Sequence, residues 1–352
     1  KTCVALLFLL VTLGCLPLLM YGPQTGHDLD LVLPWAQLFS DQVQAGEAYP
    51  RWLMDMYGGV GGPVFFYYPP LPFYFTTLAS AACTQCSPFV QLGMAEWLVV
   101  LASAYSFYFF AAFHVSRLAA LVGALVYAFT PYHFASDLLL RQALGEASSY
   151  IWIPLVFGCL DRIAEGRRLE AALALSFGFL MLTNVPVTLL SSPFFLLYAM
   201  FYVIRARSHR LFLQYTIACL AAILLAACYL LPAILTLDFI ASGKLWTGDF
   251  EYQNWFFLDG ETYSNEAHFF GVALIALGLF VLSWPAVFLF VSDRKAPIIL
   301  FLPLLVASCW FLMTPLSGVI WEVIPVLQKV QFPWRLLVLH DWAIVTAFTL
   351  LI

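Results

Sequence analysis

Residues 211–235, LFLQYTIACLAAILLAACYLLPAIL, run for twenty-five positions without one charged side chain. About twenty apolar residues cross the hydrocarbon core of a bilayer as a helix, so this stretch predicts a membrane span. It has company along the chain. Comparable stretches are Cys3–Tyr21, Phe89–His114, Leu118–Pro131, Ser149–Leu160, Ala171–Thr183, Val187–Ile204, His268–Val291, Ile298–Met313 and Leu336–Ile352. The expected fold class is therefore an all-α polytopic membrane protein of about ten spans. Several stretches are short, and their boundaries are soft.

Composition agrees. Hydrophobic residues make up 63% of the chain and charged residues 10%, with a mean hydropathy of +0.91, whereas a soluble domain is about half apolar and about a quarter charged. One globular core cannot bury that much apolar surface, so most of it must face lipid or other spans. A net charge of −5 argues against nucleic acid, which calls for a basic footprint. The first apolar run lacks the small-residue cleavage site of a signal peptide. The chain starts at Lys1 and stops inside an apolar run at Ile352, so a larger protein is expected.

The basic residues orient the spans. Arg117, then Arg162, Arg167 and Arg168, then Arg205, Arg207 and Arg210, then Arg294 and Lys295 occupy short loops that alternate correctly if all are cytoplasmic. With Lys1 they hold ten of the fifteen basic residues, which is the positive-inside asymmetry. The opposite face takes the long segments Gly22–Pro88, His133–Ser148, Thr236–Ala267 and Pro315–Arg335 (22–88, 133–148, 236–267 and 315–335). If Pro70–Ala82 also crossed, Arg117 and everything after it would change sides. That stretch is therefore expected to lie along the outer leaflet, rich in Phe, Tyr and Pro like an interfacial anchor. No internal repeat interrupts the chain, so one membrane domain is expected over 1–352.

A first outer loop of almost seventy residues is rarely idle. It opens Gly26-His27-Asp28-Leu29-Asp30, and Leu31, Trp35, Leu38, Phe39 and Val43 then recur at helical spacing. Tyr49-Pro50-Arg51-Trp52, the glycine-rich 58–63 and Phe65-Phe66-Tyr67-Tyr68-Pro69-Pro70 follow.

Candidate chemistry gathers in these outer segments. Asp28 and Asp30, just after the first span, offer a general base or a hold on a divalent cation; the plainer role for Asp28 is to cap a helix. His27 is a second ligand or a proton shuttle, although one His beside one Asp falls short of the ligand set a metal needs. The second outer loop holds Asp137, Arg141 and Glu146. Arg141 suits bidentate recognition of phosphate or carboxylate, and Glu146 is its candidate partner. Tyr132 and His133 fit interface anchors. In Gln328–Leu336, Pro333 bounds a helix and Arg335 reaches the membrane boundary, either to bind an anionic headgroup or to snorkel. Lys244 is a further cation. Cys83-Thr84-Gln85-Cys86 lacks the βαβ setting of a redox motif, leaving a local disulfide or two idle thiols. No P-loop, dinucleotide fingerprint or HExxH is present.

This arrangement resembles the GT-C superfamily of integral-membrane glycosyltransferases, in which a first span leads to a long outer loop with an acidic residue near its start. The local sequence is similar to a bacterial branch of membrane proteins, some labelled 6-pyruvoyl-tetrahydropterin synthase-related; nothing in the residues supports pterin chemistry. The matching pieces are Gly26-His27-Asp28-Leu29, Tyr49-Pro50-Arg51-Trp52, the run from Gly58 through Leu71, the Arg141 and Glu146 pair, and Phe332-Pro333-Trp334-Arg335-Leu336. In that branch a His follows the Asp one helical turn on, where this chain has Val32. A His-assisted metal site is less expected for that reason.

The resemblance implies sugar transfer from a polyprenyl-phosphate donor to an acceptor, usually with inversion, on the outer face of a bacterial cytoplasmic membrane. Asp28 is then the expected catalytic base, with Glu146 assisting it or orienting Arg141. Arg335 and Arg141 are expected to hold the donor phosphate, with Arg51 and Lys244 as further phosphate-binding candidates. If a divalent ion (Mg2+ or Mn2+) takes part, His27, Asp28 and Asp30 are its candidate ligands. The Trp- and Tyr-rich loops offer apolar faces to the sugar and lipid. Two other classes share these features. One is a transporter or flippase of a lipid-linked sugar, against which stands the lack of paired broken helices in repeated halves. The other is a non-catalytic membrane subunit of a polymer-assembly complex.

Overall fold

The computed structural model describes residues 2–258, 271, 273–281, 284 and 296–352. The described chain is helical nearly throughout, and its only strand-like pairing is an isolated bridge between Leu53 and Gly62. Helices α1 (Thr2–Gly14) and α2 (Leu16–Tyr21) are followed by α3 (Leu29–Gln44), the single turn α4 (Val64–Tyr67) and α5 (Leu71–Ala82). Then come α6 (Pro88–Ala111), α7 (Arg117–Ala128), a π-helix over Pro131–Arg141, α8 (Leu144–Ala164), α9 (Glu170–Thr183), α10 (Val185–Ala206) and α11 (His209–Leu235). After the third loop stand α12 (Ala296–Leu312), the short α13 (Gly318–Val323) and α14 (Leu337–Leu351).

Among the described residues, five segments are long and apolar enough to span a membrane: Pro88–Ala111, Arg117–Arg141, Val185–Ala206, His209–Leu235 and Pro333–Leu351. A sixth is available if Pro297–Leu312 and Pro315–Val323, bent by 89°, count as one broken span. This is fewer than the ten expected, for local reasons. The stretch Cys3–Tyr21 is divided at Cys15 between α1 and α2. Ala171–Thr183 is the core of a fourteen-residue helix that Asn184 stops. Ser149–Leu160 lies in a full-length helix, α8, that carries Glu146, Asp161 and Arg162. His268–Val291 lies largely outside the described residues.

The segment 133–148, expected as a loop, is mostly helical. The chain leaves α7, forms the π-helix to Arg141, and re-enters helix at Leu144 after Gln142 takes a left-handed conformation (φ 59°). Tyr132 and His133 are accordingly buried inside the bundle rather than at an interface.

The first loop packs on itself. Along α3 the buried stripe is Leu29, Val32, Ala36 and Phe39, offset from the expected one, with Leu31 51% exposed. Val32 is a core residue. Phe39 meets Phe65 edge-on at 4.6 Å, Phe65 meets Phe73 at 4.7 Å, and Tyr68 meets both Phe73 (5.8 Å) and Trp35 (5.4 Å). This ladder binds α3, α4 and α5 into one unit, each contact adding roughly 0.5–1.5 kcal/mol beyond the area buried. The glycine-rich run turns at Gly58, Gly59 and Gly61, all at positive φ, and two backbone bonds between Leu53 and Gly62 close it. A Cys83–Cys86 disulfide closes the turn between α5 and α6.

Close backbone approach fixes the N-terminal arm. A Cβ on Gly93 would run into the Leu18 carbonyl and the Gly22 Cα, so only glycine lets α2 lie on α6. Gly93→Ala should therefore destabilise the fold by about 1–3 kcal/mol, as for other overpacked cores, and lower the thermal unfolding midpoint in detergent. Gly243→Ala, with nothing within 4 Å, should leave it unchanged.

Candidate functional site

Asp28 is brought to its place by backbone bonds. The amide of His27 donates to the Leu140 carbonyl and that of Asp28 to the Arg141 carbonyl, both at 3.0 Å. This clasp between the start of the first loop and the end of the π-helix sets Asp28 beside Arg141. Asp28 occupies the N-cap position of α3, yet its side chain makes no capping bond. The capping role open to it in the sequence is not taken up, and its carboxylate faces a cavity instead.

That cavity has a volume of about 430 Å³. Its polar wall is His27, Asp28, Tyr68, Arg141, Glu146, Asn184, Gln331 and Arg335, and its aromatic wall is Phe250, Trp255, Phe332 and Trp334. A larger groove of about 850 Å³ runs between α2, the start of α6 and the π-helix, but no charged side chain lines it. The smaller cavity is therefore the candidate site.

Glu146, in the first turn of α8, is its anchor. Its Oε2 accepts from Arg141 Nη2 (3.1 Å) and from Arg335 Nε (3.2 Å), while Oε1 accepts from the Tyr132 hydroxyl. Arg141 Nη1 also donates to Asp137 Oδ1 at 2.7 Å and to the Tyr132 oxygen at 3.2 Å. Arg335 Nη1 donates to the Val330 carbonyl at 2.7 Å, and its carbon Cζ sits 5.0 Å from the Phe332 ring centre. Arg335 Nη2 has no protein partner among the described residues. The arginine is thus held inside the protein, not snorkelling.

Glu146 is fully buried, and burial opposes its charge; the Arg141 and Arg335 guanidiniums outweigh that and hold its carboxyl below the usual range. Asp28 moves the other way. Partial burial raises its pKa, and Arg141, His27 and Arg335 only partly offset the rise. Burial, reinforced by Asp28, pushes the Tyr68 phenol up to about 12, so it stays a hydrogen-bond donor. The aromatic wall is built by parallel stacking of Phe332 on Trp334 (4.8 Å, 2°), with Trp255 edge-on to both at 5.3 and 4.9 Å.

The structure thus brings together His27, Asp28, Arg141, Glu146 and Arg335, drawn from three separate sequence segments. It leaves out three others. Asp30 is exposed on α3 and does not line the cavity. Arg51 donates to the Cys228 carbonyl (3.0 Å) and lies over Tyr49 at 4.3 Å, tying the first loop to α11. Lys244 is exposed in a turn of the third loop. Among the described residues, no three His, Cys, Asp or Glu side chains gather as a metal would require. Glu146 and Asp137 are taken up by guanidiniums, which leaves His27 and Asp28 as the ionisable donors facing the cavity.

Sequence reading missed Asn184, Trp255 and Phe250. Asn184 had a local signal: it is the sole residue between α9 and α10, where its side chain caps the latter through Val187 N at 2.9 Å. No family model and no curated protein matches this sequence.

Replacing Glu146 by Ala removes the one acceptor that the two buried guanidiniums share. Breaking a buried ion pair from one side costs about 3–5 kcal/mol, so Glu146→Ala should show a large drop in unfolding midpoint in detergent. Because the folded-state pKa of Glu146 is depressed, its stabilisation is present above the unfolded carboxyl range, about pH 4.5, and is lost as pH falls through the lower folded value. The gap between wild type and Glu146→Ala should therefore narrow at acid pH.

Proposed function

We propose that this chain is a membrane glycosyltransferase that moves a sugar from a polyprenyl-phosphate donor to an acceptor hydroxyl. The site would face the periplasm from a bacterial cytoplasmic membrane. The carrying observation is one cavity that juxtaposes a carboxylate free of capping duty, two guanidiniums sharing a buried glutamate, and a stacked aromatic wall.

The chemistry follows from those parts. The Asp28 carboxylate removes the proton of the acceptor hydroxyl as the oxygen attacks the anomeric carbon. The bond from that carbon to the lipid phosphate breaks, the phosphate oxygen keeps the electron pair, and attack from the opposite side inverts the centre. Arg335, with Nη2 available, and Arg141 neutralise the departing phosphate through charge-assisted bonds. Glu146 holds both guanidiniums in place before substrate arrives, and such preorganisation is what makes electrostatic stabilisation effective. The raised pKa of Asp28 brings it closer to that of an efficient base at neutral pH. Trp255, Phe332 and Trp334 offer apolar faces to a sugar ring. The orientation is supported by Arg117, Arg162, Arg205, Arg207 and Arg210, which lie at the opposite ends of their helices from the cavity.

The test is transfer of labelled sugar from a polyprenyl-phosphate donor by the purified protein in lipid nanodiscs. Asp28→Asn should reduce transfer by about 10²–10⁴-fold, the usual contribution of a general base, with the unfolding midpoint retained. Full activity in that variant removes Asp28 from the role. Since a base must be deprotonated, wild-type activity should fall on the acid side with a midpoint above the ordinary Asp value of about 3.9. Arg335→Gln should weaken polyprenyl-phosphate binding about ten- to hundredfold, as expected for one charged hydrogen bond.

A further inference from the structure

Two hydrogen-bond donors in the cavity wall take no part in the chemistry above. Tyr68 follows the single turn α4, and its ring is held edge-on against Trp35 (5.4 Å) and Phe73 (5.8 Å). Asn184 separates α9 from α10. Its Oδ1 accepts the Val187 amide at 2.9 Å, so the capping bond fixes the side chain and leaves Nδ2 over. Both residues line the cavity. Neither the Tyr68 hydroxyl nor Asn184 Nδ2 has a protein partner among the described residues.

The two donors face one small region. A Cβ on Gly145 would lie 3.5 Å from Asn184 Nδ2 and 3.6 Å from the Tyr68 hydroxyl oxygen, which places both over the first turn of α8. The next residue is Glu146, whose carboxylate holds Arg141 and Arg335. A group bound by Tyr68 and Asn184 therefore sits beside the guanidiniums assigned to the phosphate, close to the carbon where transfer occurs.

Charge narrows the group. The permanent cations lining the cavity are Arg141 and Arg335. Glu146 and Asp28 balance them in the free protein, and the lipid phosphate engages them when it binds. No guanidinium of the cavity wall is left for a second anion on the sugar. A neutral oxygen with two lone pairs, by contrast, can accept from a phenol and an amide nitrogen together.

We propose that Tyr68 and Asn184 determine which sugar is used, by donating to the neutral oxygen of the substituent on carbon 2, next to the anomeric carbon. That oxygen belongs to a hydroxyl in a hexose and to an acetamido carbonyl in an N-acetylhexosamine; a hexuronic acid is disfavoured. The inference rests on the glycosyltransferase reading and names the substrate class of the same site.

Polyprenyl-phosphate donors carrying a hexose, an N-acetylhexosamine or a hexuronic acid, offered to the purified protein in lipid nanodiscs, test it. One neutral sugar should be transferred at least about tenfold faster than the hexuronic acid, and comparison of the two neutral donors tells hydroxyl from acetamido. Tyr68→Phe keeps the ring contacts, and Asn184→Ser keeps a capping side chain. Each should slow transfer of the preferred sugar by about three- to tenfold, the worth of one neutral hydrogen bond. With the 2-deoxy form of that donor the same variants should match wild type, since the oxygen they read is already gone. No loss with the parent donor, an equal loss with the 2-deoxy donor, or preference for the hexuronic acid overturns the proposal. If wild type transfers none of the three, the functional reading fails, and saturation-transfer NMR with the methyl hexoside and methyl N-acetylhexosaminide decides sugar recognition by itself. Saturation at carbon 2 that weakens in both variants supports the assignment; absent or unchanged saturation overturns it.

Discussion

The carboxylate of Glu146 is the point on which the site end of this molecule depends. A single oxygen accepts from two guanidiniums, one at the end of the π-helix and one just before α14, separated by most of the chain's second half. Each arginine alone would be a buried positive charge facing another. With the glutamate between them, and with Asp137 and Tyr132 on the far side of Arg141, the group becomes a network whose members are fixed in geometry. Such networks hold together only when their members are satisfied, which ties the position of α14 to that of α8 and makes the cavity one structure.

Asp28 joins this network by a different route. Among the described residues it forms no ion pair, and backbone bonds rather than side-chain attraction hold it beside Arg141. Its carboxylate is thus close enough to feel two positive charges yet remains uncommitted. The contrast with Glu146 explains why two carboxyl groups in one cavity are displaced in opposite directions, one by burial and the other by its arginine neighbours.

Much of this was legible in the sequence, and the failures are instructive. Apolar length identified α6, α10 and α11 because their runs are long and uncharged. It failed for α1–α2 and α9, where a break at Cys15 and the stop at Asn184 depend on packing that composition does not record. Spacing found that α3 is amphipathic but misjudged its face, since the aromatic ladder from Phe39 to Tyr68 draws in Val32 and Ala36 and leaves Leu31 outside. Asp28, Arg141, Glu146 and Arg335 stood out as charges flanking apolar runs. Arg51 stood out equally, and only tertiary structure sends it to the Cys228 carbonyl.

The disulfide between α5 and α6 carries a consequence for biogenesis. Cys83 and Cys86 are paired in the fold, and such bonds persist where thiols are kept oxidised. A molecule threaded with its first loop towards the reducing side would leave both thiols open and the turn after α5 unclosed. The bond therefore makes the turn between α5 and α6 responsive to the redox state of the side it faces.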